Sequence, residues 1–468
     1  MLKIIQRGGF HFMTSKTLWE TYSPSMRKDA ENFCEGYKQH ISSCKTEREC
    51  VDAVTRAAVE RGYKDITDVG ALTPGAKVYA VNRGKMLVLI HVGTLPFEQG
   101  FNILGAHIDS PRLDLKPNPL YEDSGFAMLK THYYGGIKKF QWVTLPLALH
   151  GVVFKKDGTK IQVVIGEDPQ DPVFGISDVL PHLGKDQNEK TLPKAFTGED
   201  LNICFGSIPI EGEGSERVKD SVLSILKDKY SIEEDDFQSA EIEVVPAGQA
   251  RDYGIDRSMI LAYGHDDRIC SYTSYMAMLD EDAVPAKTCV TLLVDKEEIG
   301  SVGATGMHSR FFENTMAEIM EKCGHYSELS LRKALAASSM LSSDVSAGFD
   351  PNYASVHEKN NAPFFGKGPV LHKYTGAGGK SGSNDASAEY IARLRRLFDQ
   401  EAIQFQMAEL GKVDQGGGGT IAYIPAQYAM DVIDLGIPLH SMHAPWEVAS
   451  KVDIFEAYRA YRAFLKNM

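Results

Sequence analysis

Thr288-Cys289-Val290-Thr291-Leu292-Leu293-Val294-Asp295-Lys296-Glu297-Glu298-Ile299-Gly300-Ser301 joins a nearly unbroken apolar run to two adjacent glutamates and a glycine. The apolar run predicts a strand buried on both faces, as in a parallel sheet. Ligand sites of open α/β sheets lie beyond the carboxyl ends of such strands. Glu297 and Glu298 therefore stand where chemistry is expected. One of two neighbouring glutamates can ligate a cation while the other takes a proton from a water activated there. A solvated Glu-Glu pair is the plainer alternative.

Outward from this strand the chain alternates between helix and strand. Leu18, Tyr22, Phe33, Tyr37 and Val51 recur at helical spacing across residues 14–65. Lys77–Val81, Met86–His91 and Asn102–His107 read as strands. Between about 117 and 245 the pattern changes to short strands separated by turns, at Trp142–Leu149, Gly151–Phe154, Lys160–Ile165 and Ala240–Val245. Asp157-Gly158 there is a hairpin signal. Downstream, Met259–Tyr263, 338–343 and 431–435 read as strands. Arg268–Leu279, 309–323, 384–397, 420–430 and 447–466 read as helices. The expected fold is a three-layer α/β/α domain, residues 1–116 and 248–468, interrupted by a β-rich insertion at residues 117–247.

The chain has 468 residues, a formal net charge of -13, and acids spread along its length. That distribution argues against nucleic acid or an anionic membrane as partner. Seven cysteines without a CxxC signal neither a disulfide framework nor a cysteine zinc site. A reducing, cytoplasmic setting is the expectation, with no membrane span. The opening MLKIIQRGGFHF lacks the apolar core of a signal peptide, and Met13 is an alternative start.

Four further segments place ligand-type residues at strand ends. In Gly105-Ala106-His107-Ile108-Asp109 an imidazole precedes a carboxylate that can orient it; a lone strand-end histidine is the bland reading. In Gly264-His265-Asp266-Asp267 an aspartate could bridge two cations or merely cap a helix. Ser342-Ser343-Asp344 and His440-Ser441-Met442-His443 are unremarkable singly. Taken in order, His, Asp, Glu-Glu, Asp and His supply the nitrogen and oxygen donors of a catalytic zinc site.

These stretches, with AHIDSPRLDLKP, HDDRICSYTSYMAML, DKEEIGS, DPNYASVHEKNNAPFFGKGPV, GGGGTIAYI and DVIDLGIPLHSMHA, resemble the M18 family of metallo-aminopeptidases, the aspartyl aminopeptidase and vacuolar aminopeptidase I group. The resemblance runs from about residue 20 to the C-terminus. It implies a catalytic α/β domain of the zinc-peptidase type with an inserted β-rich dimerisation domain, and self-association into a dimer-based dodecamer. Carried over by position, it makes His107, Asp266, Glu298, Asp344 and His443 the metal ligands, with Asp266 bridging. Glu297 becomes the general base and Asp109 the carboxylate that orients the site. The cofactors implied are two divalent ions, zinc first, with cobalt or manganese as alternatives. The implied substrate is a peptide with a free N-terminus, which loses its first residue.

His440 falls outside the matched position and reads as structural. Ala347, Gly417 and Asp186 depart from the acid-preferring branch, so a preference for acidic residues is not implied, although Lys373 or Lys380 could offer a cation. The Gly416–Gly419 run could present backbone N–H groups to substrate or be only a turn. Two rivals remain at this level. One is a related two-metal amide hydrolase, such as a carboxypeptidase or deacetylase; the other is a non-catalytic scaffold retaining the fold. GSVGATG after Glu298 lacks the Lys-Ser/Thr of a phosphate loop.

Overall fold

The computed structural model describes residues 16–468; the expectations about the signal peptide and Met13 lie outside them. A nine-stranded sheet forms the centre. Its spatial order is Lys64–Asp65, Lys77–Asn82, Met86–His91, Cys289–Val294, Asn102–His107, Ser339–Ser342, Asp431–Gly436, Val370–His372 and Gln406–Met407. Four neighbours, from Cys289–Val294 through Asn102–His107 and Ser339–Ser342 to Asp431–Gly436, run parallel. Every residue of Met86–His91, Asn102–His107 and Cys289–Val294 is buried, which is why these strands read as continuous apolar runs instead of alternating.

Alternate residues of these strands serve two separate apolar clusters. Leu87, Leu89, Leu104, Ala106 and Leu293 pack with residues of helices Pro24–Ser43, His265–Leu279 and Lys451–Asn467. Val88, Ile90, Ile103, Val290 and Leu292 pack with residues of helices Phe311–Lys322 and Glu328–Ala336. The period-two alternation of side chains across a strand produces this division.

A six-stranded antiparallel sheet uses Lys160–Ile165, Leu147–Phe154, Ala240–Pro246, Arg112–Asp123, Phe126–Tyr134 and Ile203–Gly206. The Asp157-Gly158 hairpin joins its first two strands as expected. Its core is its own cluster around Leu113, Leu129, Trp142 and Val244. A five-stranded sheet contains Arg251–Tyr253, Met259–Ala262, Glu447–Ser450, Pro438–His440 and Ser346–Ala347.

Several local expectations shift. Trp142–Leu149 is not one strand: Trp142 closes a short 3-10 turn, and the strand starts at Leu147, after Pro146. Helix 420–430 shrinks to Tyr423–Ala426, since Ala429 takes φ 65° ahead of strand Asp431–Gly436. Residues Glu447–Ser450 form a strand before the last helix begins at Lys451. Helix Arg217–Tyr230 went unread, although Val218, Val222 and Leu226 bury one face at i, i+4 spacing.

No helix among the described residues is long and apolar enough to cross a membrane.

Candidate metal centre

His107 is the last residue of strand Asn102–His107, and Asp109 lies just beyond it. Glu297 and Glu298 open a 3-10 turn after strand Cys289–Val294. Asp344 follows strand Ser339–Ser342. The parallel register sets these ends side by side, with Val294 opposite His107 and Ser342 opposite Gly105. Asp266 stands in the first turn of helix His265–Leu279, which follows strand Met259–Ala262. His443 lies in the turn between strands Pro438–His440 and Glu447–Ser450. The five-stranded sheet thus brings two residues to the crevice that the central sheet alone would not.

Asp266 is the hub. Its Oδ1 lies 3.2 Å from His107 Nε2 and its Oδ2 lies 3.1 Å from His443 Nε2. His443 Nε2 is also 3.6 Å from Glu298 Oε2. Donor atoms within 4.8 Å of one another form three overlapping groups: His107, Asp266 and Asp344; His107, Glu297 and Glu298; Asp266, Glu298 and His443. Tetrahedral zinc with ligand bonds near 2.0–2.2 Å has nitrogen–oxygen edges of roughly 3.3–3.5 Å, close to the spacings around Asp266.

Both imidazoles are turned the same way. His107 Nδ1 bonds the carbonyl of Asp109 at 3.0 Å, and His443 Nδ1 bonds the carbonyl of Gly136 at 2.9 Å. A proton on each Nδ1 leaves each Nε2 lone pair aimed at the carboxylates, the arrangement of a ligating histidine. Asp109 is fully buried. Its Oδ1 accepts from Glu297 N at 3.1 Å and its Oδ2 from Glu298 N at 3.2 Å, while Oδ1 sits 3.3 Å from His107 Nδ1.

The electrostatics favour cations. Burial pushes the Glu297 carboxyl up to about 7, with Asp109 and Asp266 adding to the shift. Burial also lifts Glu298 and Asp344 well above the ordinary carboxylate range. Although burial opposes charge on His443, Asp266 and Glu298 raise its pKa to about 10. Against the same burial, Asp109 and Asp266 hold His107 well above its usual value. Buried oxygens Asp266 Oδ1 and Glu298 Oε1 have no hydrogen-bond donor. Crowded carboxylates with unsatisfied oxygens call for positive charge, which divalent cations supply far better than imidazolium protons. The donor set therefore fits a metal of the zinc type.

The structure brings together all the residues singled out by sequence: His107, Asp109, Asp266, Glu297, Glu298, Asp344 and His443. Asp267 is excluded from the donor groups, although neither of its buried oxygens has a donor. His440 stacks on Phe365 at 4.1 Å and bonds Phe349 O at 3.0 Å, as a structural residue would. A cavity of about 530 Å³ opens over Asp266, Glu297 and Asp344 and is walled by Gly417, Tyr423 and Met442. Lys380 stands 3.7 Å over the Tyr374 ring and 3.4 Å from Asp385, beside a neighbouring cavity.

Two residues escaped the sequence reading. Tyr134 donates to Asp109 Oδ2 at 2.7 Å. Glu447 accepts from Asp266 N at 3.1 Å and His443 N at 2.7 Å. Tyr134 reaches Asp109 from a neighbouring strand, and Glu447 joins His443, four residues back, to Asp266, 181 residues away.

The family model for aminopeptidase I zinc metalloproteases (M18) matches residues 40–465. The probable M18 family aminopeptidase 1 of Clostridium acetobutylicum is 60% identical over 457 residues, which cover 97% of this chain and 98% of that protein. The crystal structure of an M18 aminopeptidase from Thermotoga maritima superposes with a TM-score of 0.93 at 47% identity, covering 97% and 99% of the two chains. Aminopeptidase I from Borrelia burgdorferi B31 gives 0.83 at 38% identity, covering 97% and 100%. With sequence and fold agreeing over nearly its whole length, this chain belongs to the M18 family of zinc metallo-aminopeptidases.

Proposed function

We propose that the chain removes N-terminal residues from peptides with two cations bound around Asp266. The observation that carries this reading is the carboxylate whose two oxygens each face a different Nε2. His107 and Asp344 would hold one ion, and Glu298 and His443 the other, with Asp266 shared. Zinc fits this nitrogen and oxygen set; cobalt or manganese fits it too. Bound there, the pair lowers the pKa of water toward neutrality and polarises the scissile carbonyl.

Glu297 takes the proton of the attacking water and returns it to the leaving amine. A carboxyl raised toward neutral pH suits both tasks. Asp109 holds Glu297 and Glu298 in place through their backbone N–H groups. The carboxylates ringing the cavity hold the free α-amine of the substrate, which confines cleavage to the first peptide bond. Gly417 and Gly418 line the same cavity and offer backbone groups to the peptide.

The reading extends to architecture. Of the expected catalytic domain, 1–116 and 248–468, the described residues 16–116 and 248–468 form three layers in this reading, supported by the two clusters that share the central strands. Residues 117–247 form a dimerisation domain. Supporting this are its separate core and its exposed Leu183 and Ile208, at 73% and 77%. A dimer-based dodecamer is the assembly proposed; the yeast mApe1 dodecamer shares the fold at a TM-score of 0.75 and 20% identity. Seven free cysteines suit a reducing, cytoplasmic setting.

The test offers free-amine and N-acetylated peptides of one sequence to enzyme loaded with zinc, cobalt or manganese, with chelated enzyme as blank. Turnover restricted to the free amine and to loaded enzyme is expected. Comparable hydrolysis of the blocked peptide overturns the aminopeptidase reading.

A further inference from the structure

A second group of metal-type donors lies outside the catalytic pocket. His40 stands in the last turn of helix Pro24–Ser43, and Cys44 closes that helix, its N–H bonded to His40 O at 2.9 Å. The i, i+4 spacing puts both side chains on one face. The chain then turns at Lys45-Thr46 into helix Glu47–Glu60, whose first turns carry Cys50. The three side chains are buried, at 9%, 1% and 1% exposure, and their donor atoms lie within 4.8 Å of one another.

We propose that His40, Cys44 and Cys50 form a separate binding site for a thiophilic divalent cation of the zinc class. His40 Nδ1 lies 3.6 Å from Cys44 Sγ. Zinc bonds near 2.05 Å to nitrogen and 2.3 Å to sulfur, at a tetrahedral angle, span an edge of about 3.6 Å. Tyr275 Oη approaches the same Nδ1 at 3.3 Å and brings a fourth polar group from helix His265–Leu279. The other ring nitrogen, Nε2, is buried without a partner, so a donor remains whichever way the ring is turned.

A cation that binds here takes both cysteines as thiolates, so binding releases their protons to solvent. Soft sulfur ligands select zinc-like ions over magnesium or calcium.

The cation would pin the corner between the two helices to helix His265–Leu279, whose first turn carries Asp266. The corner already touches the metal centre through Arg268, which donates to Lys45 O at 2.7 Å and to Ile108 O at 3.2 Å. The site is thus a structural brace behind the catalytic loops, with no donor in common with them.

Sulfur distinguishes the two sites optically. The catalytic donors are nitrogen and oxygen, so a thiolate-to-cobalt charge-transfer band can come only from cysteine. The experiment titrates cobalt(II) into reduced, full-length, metal-stripped enzyme and follows only the sulfur-to-cobalt band, to which the nitrogen and oxygen donors of the catalytic centre do not contribute. One saturable equivalent of the band is expected in wild type and in Cys323→Ser. Cys44→Ser and Cys50→Ser should each abolish it while retaining zinc-dependent peptide turnover. Should those variants fail to fold, the wild type still decides: zinc, but not magnesium, should erase the band, and the bound ion should raise the melting temperature. Absence of the band in wild type, its survival in both variants, or a protein lighter by two hydrogens through a Cys44–Cys50 disulfide overturns the proposal.

Discussion

The hydroxyl of Tyr134 donates to Asp109 Oδ2 at 2.7 Å, joining the end of strand Phe126–Tyr134 in the six-stranded sheet to the carboxylate at the heart of the metal centre. Arg112 stacks on the Tyr134 ring at 3.9 Å and lies 3.2 Å from Glu243 and 3.5 Å from Glu47. Asp109 in turn holds His107 and the backbone of Glu297 and Glu298. Removal of one hydroxyl should therefore be felt at three functional residues without disturbing a core.

Tyr134→Phe should lower kcat or zinc affinity by about 10–100-fold, the usual consequence of losing a partner that orients a ligand. KM for a peptide should change little. Zinc competition with a chromophoric chelator, run beside steady-state kinetics, checks this. Unaltered kcat and zinc affinity would separate Tyr134 from the function of Asp109.

Glu297→Gln should keep the fold and the bound metal while lowering kcat by about 10²–10⁴-fold, the range assigned to general acid–base catalysis. Metal analysis and single-turnover hydrolysis of an aminoacyl anilide measure the two quantities separately. Activity near that of wild type would remove Glu297 from the role of base.

Stripping the metal should destabilise the protein, because Glu298, Asp344 and Asp266 then crowd a buried site without compensating cations. At zinc a thousandfold above its dissociation constant the bound ion stabilises by about 4 kcal/mol. Calorimetry of chelated and reloaded protein should show a lower melting temperature that zinc restores. Equal melting temperatures would contradict the electrostatic picture.

His150 sets a pH dependence through partners that the candidate metal centre does not share. Its Nδ1 lies 2.8 Å from Glu49 and its Nε2 3.2 Å from Glu167, between helix Glu47–Glu60 and the six-stranded sheet. Burial lowers its pKa, but Glu167 and Glu49 outweigh burial and raise it above 6.5. A histidine raised in the folded state contributes stability that is complete below pH 6.5 and is lost as pH rises through the folded value. Melting temperatures from pH 6 to 9 should fall for wild type and fall less for His150→Gln. Parallel curves would sink the assignment.

Strand Cys289–Val294, the two glutamates behind it, and the donor residues at His107, Asp266, Asp344 and His443 were legible in the chain. Apolar continuity and strand-end position are properties of neighbouring residues. The same locality hid Tyr134, whose partner lies at the end of another sheet, and Glu447, whose role appears only when strand Met259–Ala262 pairs with Glu447–Ser450 and sets Asp266 beside it. It also blurred the helix expected at 420–430, which Ala429 cuts short by its positive φ.

The order of side chains along the chain determined which chemistry was available: nitrogen and oxygen donors, a glutamate pair, and strands apolar enough to stack in parallel. The resemblance singled out Asp266 over Asp267; tertiary structure alone decided that its two oxygens face different imidazoles, and that the five-stranded sheet brings Asp266 and His443 to meet His107 at the end of the central sheet. Local periodicity dictates which way a side chain points from its own strand or helix. Convergence of side chains hundreds of residues apart depends on how whole sheets register against one another, and that is settled only when their buried faces pack.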